Sequence, residues 1–499
     1  MTLSPAILLT VVLIYFSVLI AISFLTSKKG TDEDFYIGGR KSPWYLVAFG
    51  MIGTSLSGVT FISVPGWVSS SSLSYMQMVL GFIVGYAIIS TVLMPLYYRL
   101  QLTSIYTYLN DRLGFASYKT GSSFFLISRI VGASFRLYLV SLVFHRFITS
   151  AYGISFAATV IGIILLIWVY TYRGGIRTIV FTDTLQTAAM LLAVITTVLV
   201  IKGQLQWDWG DIYQQVFQSE YSQIFFTEGG WSEPKNFWKQ FFAGASISLV
   251  MTGLDQDMMQ KNLSIKRLED AQKNMFWFSM ILVPVNLMFL AMGILLYYYA
   301  AQNGIDIPSE IVDGVEKTRT DLLYPELALK HFPIGIGILF IIGLIAAAYS
   351  SADSALTALT TSFCVDILGI HRSDKYVGST TKVRRVIHVM MSLLLFALIM
   401  IFYAINNSAV IEAVYTVASY TYGPLFGLYA FSLFTRRAVY DKWVPVICVL
   451  SPVLTYIIKT NSAAWFNGYT FGFELLILNG LMTFLGLLAI SRSSLKIAE

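Results

Sequence analysis

Charge is what this sequence has least of. Asp, Glu, Lys and Arg make up 12% of its 499 residues, about half the share in a soluble domain. A chain so poor in charge cannot cover a water-exposed surface, which excludes a soluble fold around one large core. Two cysteines exclude a disulfide scaffold, and Cys364 and Cys448 are expected to be packing residues. Four histidines are too few to suggest a metal centre. No P-loop, zinc-ligand spacing or nucleophile elbow is found, so the chain is not expected to be an enzyme. No channel-type selectivity filter or appended signalling domain is found either.

What fills the sequence is apolar, 56% of residues, gathered in long runs. Each run approaches or exceeds the ~20 residues that cross a bilayer core of ~30 Å. The runs are continuous rather than alternating, so they predict helices, not a barrel. Thirteen spans are expected, near 5–26, 44–68, 76–98, 120–147, 154–172, 179–201, 238–259, 274–301, 333–365, 384–405, 409–433, 442–459 and 471–491. The first run has neither a charged leader nor a small-residue cleavage site and predicts a retained helix. The class is thus an all-α polytopic membrane protein.

Lys and Arg set the expected orientation. With the N-terminus outside, 23 of them flank the cytoplasmic ends and 7 the outer ends. The C-terminus then falls in the cytoplasm. The net charge of +6 follows from this bias, so no nucleic acid is expected as a partner, and no obligate protein partner is evident. The expected location is the plasma membrane, such as a bacterial inner membrane. The long loops near 203–237 and 302–332 fall outside and are expected to carry short helices.

Ionisable groups inside a membrane are costly and mark function by default. Here they are Arg129, Arg136, Asp183, Asp353 and Glu412. Asp255 and Asp257 lie nearer a cytoplasmic end. Around the middle of the second span, Gly53-Thr54-Ser55-Leu56-Ser57-Gly58-Val59-Thr60 is dense in glycine and hydroxyls. Such a stretch either unwinds and frees carbonyls for an ion or packs closely against a neighbour. In the ninth span, Ala347, Ser350, Ser351 and Ser354 share one helix face, suited to a hard cation that takes oxygen ligands or again to close packing. Asp183 either completes a second cation site or pairs with Arg173 or Arg177. Arg136 and Arg129 share a face of the fourth span. Each is able to clamp a carboxylate or to pair with an acid on a neighbouring helix.

The chain resembles the sodium/solute symporter family. The resemblance rests on Phe35-Tyr36-Ile37-Gly38-Gly39-Arg40, Ser55 to Pro65, Leu102 to Leu109, Gly174-Gly175-Ile176-Arg177 with Thr182-Asp183 and Gln186, Gly253-Leu254-Asp255-Gln256 to Gln260, the Ala347–Ser354 face, and Gly423-Pro424-Leu425-Phe426-Gly427. It implies a LeuT fold within one transmembrane domain: an extra helix at 5–26, inverted five-helix repeats at 44–201 and 238–433, and two last helices at 442–491. It implies a main sodium site from backbone oxygens of Gly53, Leu56 and Ala347 with the hydroxyls of Ser350 and Ser351. It also implies a second sodium site at Asp183, Ser350, Asp353 and Ser354, where Asp353 replaces the usual Ser or Thr. Among the family, the sialic acid carriers are most similar at the site. That places a small organic anion, sialic acid foremost, on Arg136, with Ser55, Ser57 and Thr60 bonding its polar groups and Tyr75 and Gln77 nearby. Alternatives are a monocarboxylate, a sugar or polyol or an amino acid, and, outside the class, a membrane sensor that binds without transport.

Overall fold

Apolar runs in a bilayer find no water for their amides, so each closes its hydrogen bonds within a helix. The chain is accordingly helical over most of its length. The computed structural model describes residues 4–26, 38–312, 315–370, 378–405 and 410–492. In order the helices are α1 (Pro5–Thr26), α2 (Trp44–Ser55), α3 (Gly58–Ser71), α4 (Tyr75–Ile88), α5 (Met94–Arg99), α6 (Thr107–Arg112), α7 (Phe115–Phe144), α8 (Phe156–Gln204) and α9 (Trp209–Phe217). There follow α10 (Phe237–Ser248), α11 (Gln256–Leu263), α12 (Leu268–Gln302), α13 (Leu323–Glu326), α14 (Ile334–Ser362), α15 (Thr380–Ile405), α16 (Val410–Phe434), α17 (Val444–Trp465) and α18 (Leu475–Ala489).

All thirteen expected spans fall on helices, with two departures. The loop expected between the fifth and sixth spans, around Gly174-Gly175, is helical, so both spans lie in the single run of α8. The seventh span is not one rod: a π-turn at Leu249–Gly253 and the non-helical Leu254-Asp255 separate α10 from α11. Each part is therefore too short to count alone. By length and hydropathy the described residues give eight helices able to cross a membrane, or nine when α2 and α3 are taken as one bent span. The long loops near 203–237 and 302–332 carry the short helices expected, α9 and α13. Asp208 starts α9 with a capping box, its carboxylate accepting from Asp211 N at 2.8 Å. A hairpin of β1 (Ser309–Val312) with β2 (Val315–Thr318) was not expected.

The centre of the molecule is α14. From Gly343 to Ser362 every residue is buried, and α1, α2, α3, α7, α8, α11 and α15 pack around it. Large apolar side chains on the outer helices face away from this centre. Leu13, Ile14, Leu165, Leu393 and Val449 are each more than half exposed, as a surface that meets lipid requires. The last pair, α17 and α18, lies against α16, and a short pairing of β3 (Ala438–Val439) with β4 (Ser491–Arg492) ties its ends. Both cysteines are buried and free. Arg173, Arg177 and Glu412 have side chains outside those described, as do residues 35–37 of the first motif.

Candidate solute and cation sites

The second span breaks where glycine and hydroxyls are densest. Helices α2 and α3 meet at 56° around Leu56 and Ser57. A helix end leaves its last four carbonyls without a partner in the helix, and α14 supplies partners for two of them. Ser350 Oγ donates to Gly53 O at 3.1 Å and Ser351 Oγ to Thr54 O at 3.3 Å. Ser350 Oγ also lies 3.4 Å from Ala347 O. Carbonyls of Gly53, Thr54 and Ala347 thus gather with two hydroxyls in a fully buried spot, an oxygen-only set. Of the expected main-site residues, Gly53, Ala347, Ser350 and Ser351 come together; Leu56 stands at the break, and Thr54 supplies the carbonyl that meets Ser351.

Small residues make this approach possible. Gly53 N donates to Thr187 Oγ1 of α8 at 3.0 Å. A Cβ on Gly53 would stand 2.2 Å from that same oxygen. At Gly58, the first residue of α3, a Cβ would stand 2.5 Å from Val140 Cγ2 of α7. The glycines serve close packing and the break at once, so the two readings of the sequence were not exclusive.

Beside the break lies a cavity. Its walls include Ser55, Leu56, Ser57, Thr60, Tyr75, Arg129 and Arg136. Its unfilled space, counted with the open side, is about 810 Å³. Residues the sequence reading missed complete it: Tyr86 on α4, Ser248 and Thr252 beside the second break, Asn286 on α12 and Tyr415 on α16. A hydroxyl or amide in an otherwise apolar span was the only signal available for these. Gln77 is a correction. Its amide is buried elsewhere, donating to Lys235 O at 2.9 Å and Gln240 Oε1 at 3.1 Å and accepting from Phe226 N at 3.0 Å. It anchors the loop near 203–237 and does not line the cavity.

The two arginines of α7 differ sharply. Arg129 pairs with Asp257 and lies 3.6 Å from Asp255 Oδ2; Tyr422 OH donates to Asp255 at 2.6 Å. Both acids are fully buried. Arg136, by contrast, faces the cavity and makes no hydrogen bond or ion pair with another described residue. Lining the same cavity, Tyr75 OH and Tyr415 OH lie 3.2 Å apart.

The expected second cation set is arranged differently. Asp183 Oδ2 accepts from Lys261 Nζ at 2.7 Å and Thr54 Oγ1 at 3.1 Å. Lys261, expected as a cytoplasmic flank charge, is instead buried. Ser354 Oγ lies 3.1 Å from Asp257 Oδ2 and 2.8 Å from Ser350 O, and Asp353 Oδ1 accepts from Ser354 N at 2.5 Å. Asp183 is therefore turned to Lys261 and Thr54, while Ser354 is turned to Asp257.

The profile of the Sodium:solute symporter family matches residues 35–441. The sodium/sialic acid symporter NanT of Aliivibrio fischeri is 26% identical over 468 residues, 91% of this chain and 87% of that one. The sodium/sialic acid symporter SiaT of Proteus mirabilis is 24% identical over 430 residues, 83% and 82% of the two chains. A solved structure of a Na+-coupled sialic acid symporter, in a substrate-bound outward-open state, superposes with a TM-score of 0.81 at 20% identity, over 98% of this chain and 99% of that one. A nucleobase-cation-symport-1 family transporter in a closed conformation reaches 0.53 at 11% identity. The fold is thus the LeuT fold, in a multi-pass membrane transporter. The matched stretch takes in both helix breaks, both arginines of α7 and the whole of α14: the chain belongs to the sodium:solute symporter family.

Proposed function

We propose that this protein carries a sialic acid, N-acetylneuraminate, across the plasma membrane together with sodium, by alternating access. The observation that carries the substrate is Arg136: a guanidinium facing the cavity with no partner among the described residues is costly unless an anion arrives. A carboxylate there would take two parallel hydrogen bonds and would also lie near the N-terminus of α3, whose first amides favour negative charge. Ser55, Ser57 and Thr60 then bond the polyol and acetamido groups, with Tyr75 against the ring. NanT and SiaT, which carry sialic acid in their names, support the choice.

Sodium is held by the oxygens of Gly53, Leu56, Ala347, Ser350 and Ser351, joined by Thr54. Binding there fixes the α2–α3 break and so forms the solute wall beside it. The two broken spans, α2–α3 and α10–α11, each open one five-helix repeat, at 44–201 and 238–433, the arrangement that puts ligands between repeats. The charge bias supports an outer N-terminus and a cytoplasmic C-terminus.

Uptake of labelled N-acetylneuraminate into proteoliposomes tests the reading. Accumulation is expected with an inward sodium gradient and not with potassium in its place. Sodium-driven uptake of a monocarboxylate or sugar but not of N-acetylneuraminate would overturn the substrate. Saturable binding without accumulation would favour a sensor.

A further inference from the structure

We infer that the ammonium of Lys261 occupies the second cation position of this protein, so that one sodium ion, not two, accompanies each solute. The inference rests on the sodium-coupled reading above and goes beyond it in assigning the stoichiometry to a residue.

Lys261 lies on α11, a helix in which every residue is buried. Its Nζ stands 2.7 Å from Asp183 Oδ2 and 2.5 Å from Thr54 Oγ1, and these two oxygens are 3.1 Å apart. Lys261 and Asp183 side chains are each 1% exposed. A carboxylate and a hydroxyl closing on one point in a dry interior are what a monovalent cation needs, and the ammonium is already there. Its fixed charge cancels that of Asp183 and repels a sodium ion placed beside it in low dielectric. The other carboxylate oxygen, Asp183 Oδ1, is buried with no hydrogen-bond partner among the described residues. It is the open valence an ion would meet if the ammonium were removed. Thr54 joins the two positions, its carbonyl accepting from Ser351 and its hydroxyl touching Lys261.

With a monoanionic solute and one sodium, no net charge crosses, and the membrane potential adds nothing to accumulation. Sodium bound per purified chain, counted with ²²Na by equilibrium dialysis, reads the inference directly. Lys261→Ala is expected to bind one ion more than the wild type, and adding Asp183→Asn is expected to remove it. In proteoliposomes an inside-negative potential is expected to leave wild-type uptake unchanged and to raise that of Lys261→Ala. A wild type that loses an ion on Asp183→Asn, or a Lys261→Ala protein that gains none, overturns the inference. Should Lys261→Ala fail to fold, Asp183→Asn alone decides, an unchanged count supporting the inference and a lost ion refuting it. A gained ion without sodium-driven uptake would instead refute the transport reading alone.

Discussion

Arg129 and Arg136 stand seven residues, about two turns, apart on α7 and meet opposite surroundings. Arg129 is held by two buried acids; Arg136 faces the cavity. Truncating a buried partner of an ion pair costs about 3–5 kcal/mol, because the other charge stays buried. Arg129→Ala is therefore expected to lower stability by that order, seen as earlier thermal unfolding in detergent. Arg136→Ala removes no hydrogen bond or ion pair to a described residue and is expected to leave unfolding nearly unchanged. It should weaken N-acetylneuraminate binding roughly 10- to 100-fold, the worth of a charge-assisted pair of hydrogen bonds. If Arg136→Ala unfolded early while Arg129→Ala lost only solute affinity, the two roles would be reversed. The sequence put both arginines on one face and could not separate them, since what separates them is the presence of Asp255 and Asp257. Those acids sit more than a hundred positions along the chain, on the far side of a break. Lys261 was hidden for the same reason: its partner, Asp183, is 78 positions away, and a lysine near a span's end reads as a flank charge until the tertiary fold buries it.

At the scale of elements, the α2–α3 break and the α14 face act as one unit. The break was legible, because glycines and hydroxyls cluster nowhere else in that span. The α14 hydroxyl stripe was legible from its spacing. The continuity of α8 was not, since Gly174-Gly175 has the composition of a turn and the helix there is kept by context rather than propensity. The unit makes two expectations. Ser350→Ala removes a hydroxyl that meets Gly53 O but no bulk. It should keep the fold and raise the sodium concentration for half-maximal uptake about tenfold, near the worth of one hydrogen bond to a charge. Gly53→Val drives a branched side chain against Thr187 Oγ1, where a Cβ alone would already sit at 2.2 Å. It should part α2 from α8 and lose sodium-dependent stabilisation altogether, measured as the shift in unfolding temperature on adding sodium. A Gly53→Val protein with a normal sodium shift would show that the α2–α8 contact does not set the ion site.

For the whole molecule, α7 and α16 pack together and carry side chains at two levels, about two turns apart. Arg136 and the Tyr75–Tyr415 contact form one layer; Arg129, Asp255 and Tyr422 form the other. Arg129 and Arg136 are about 10 Å apart along the helix at 1.5 Å per residue, and Tyr415 and Tyr422 are separated by the same seven positions on α16. Alternating access requires that one layer open while the other stays shut, so the two should bias the molecule in opposite directions. Each tyrosine hydroxyl contributes about 1 kcal/mol, roughly a fivefold change in the ratio of the two states. A cysteine at Met251, which lines the cavity, reports the ratio through a membrane-impermeant thiol reagent applied from either face. With the N-terminus outside, as proposed, Arg136 stands nearer the outer face than Arg129, so Tyr415→Phe should raise labelling from the outer face and Tyr422→Phe from the cytoplasmic face. The native cysteines, buried as they are, give little background. Saturating sodium and solute should reduce both rates, because ligands that bridge the break and α14 favour the closed cavity. If both substitutions raised labelling from the same face, the layers would not be alternate gates, and the Arg129 cluster would be a structural pairing with no part in the transport cycle.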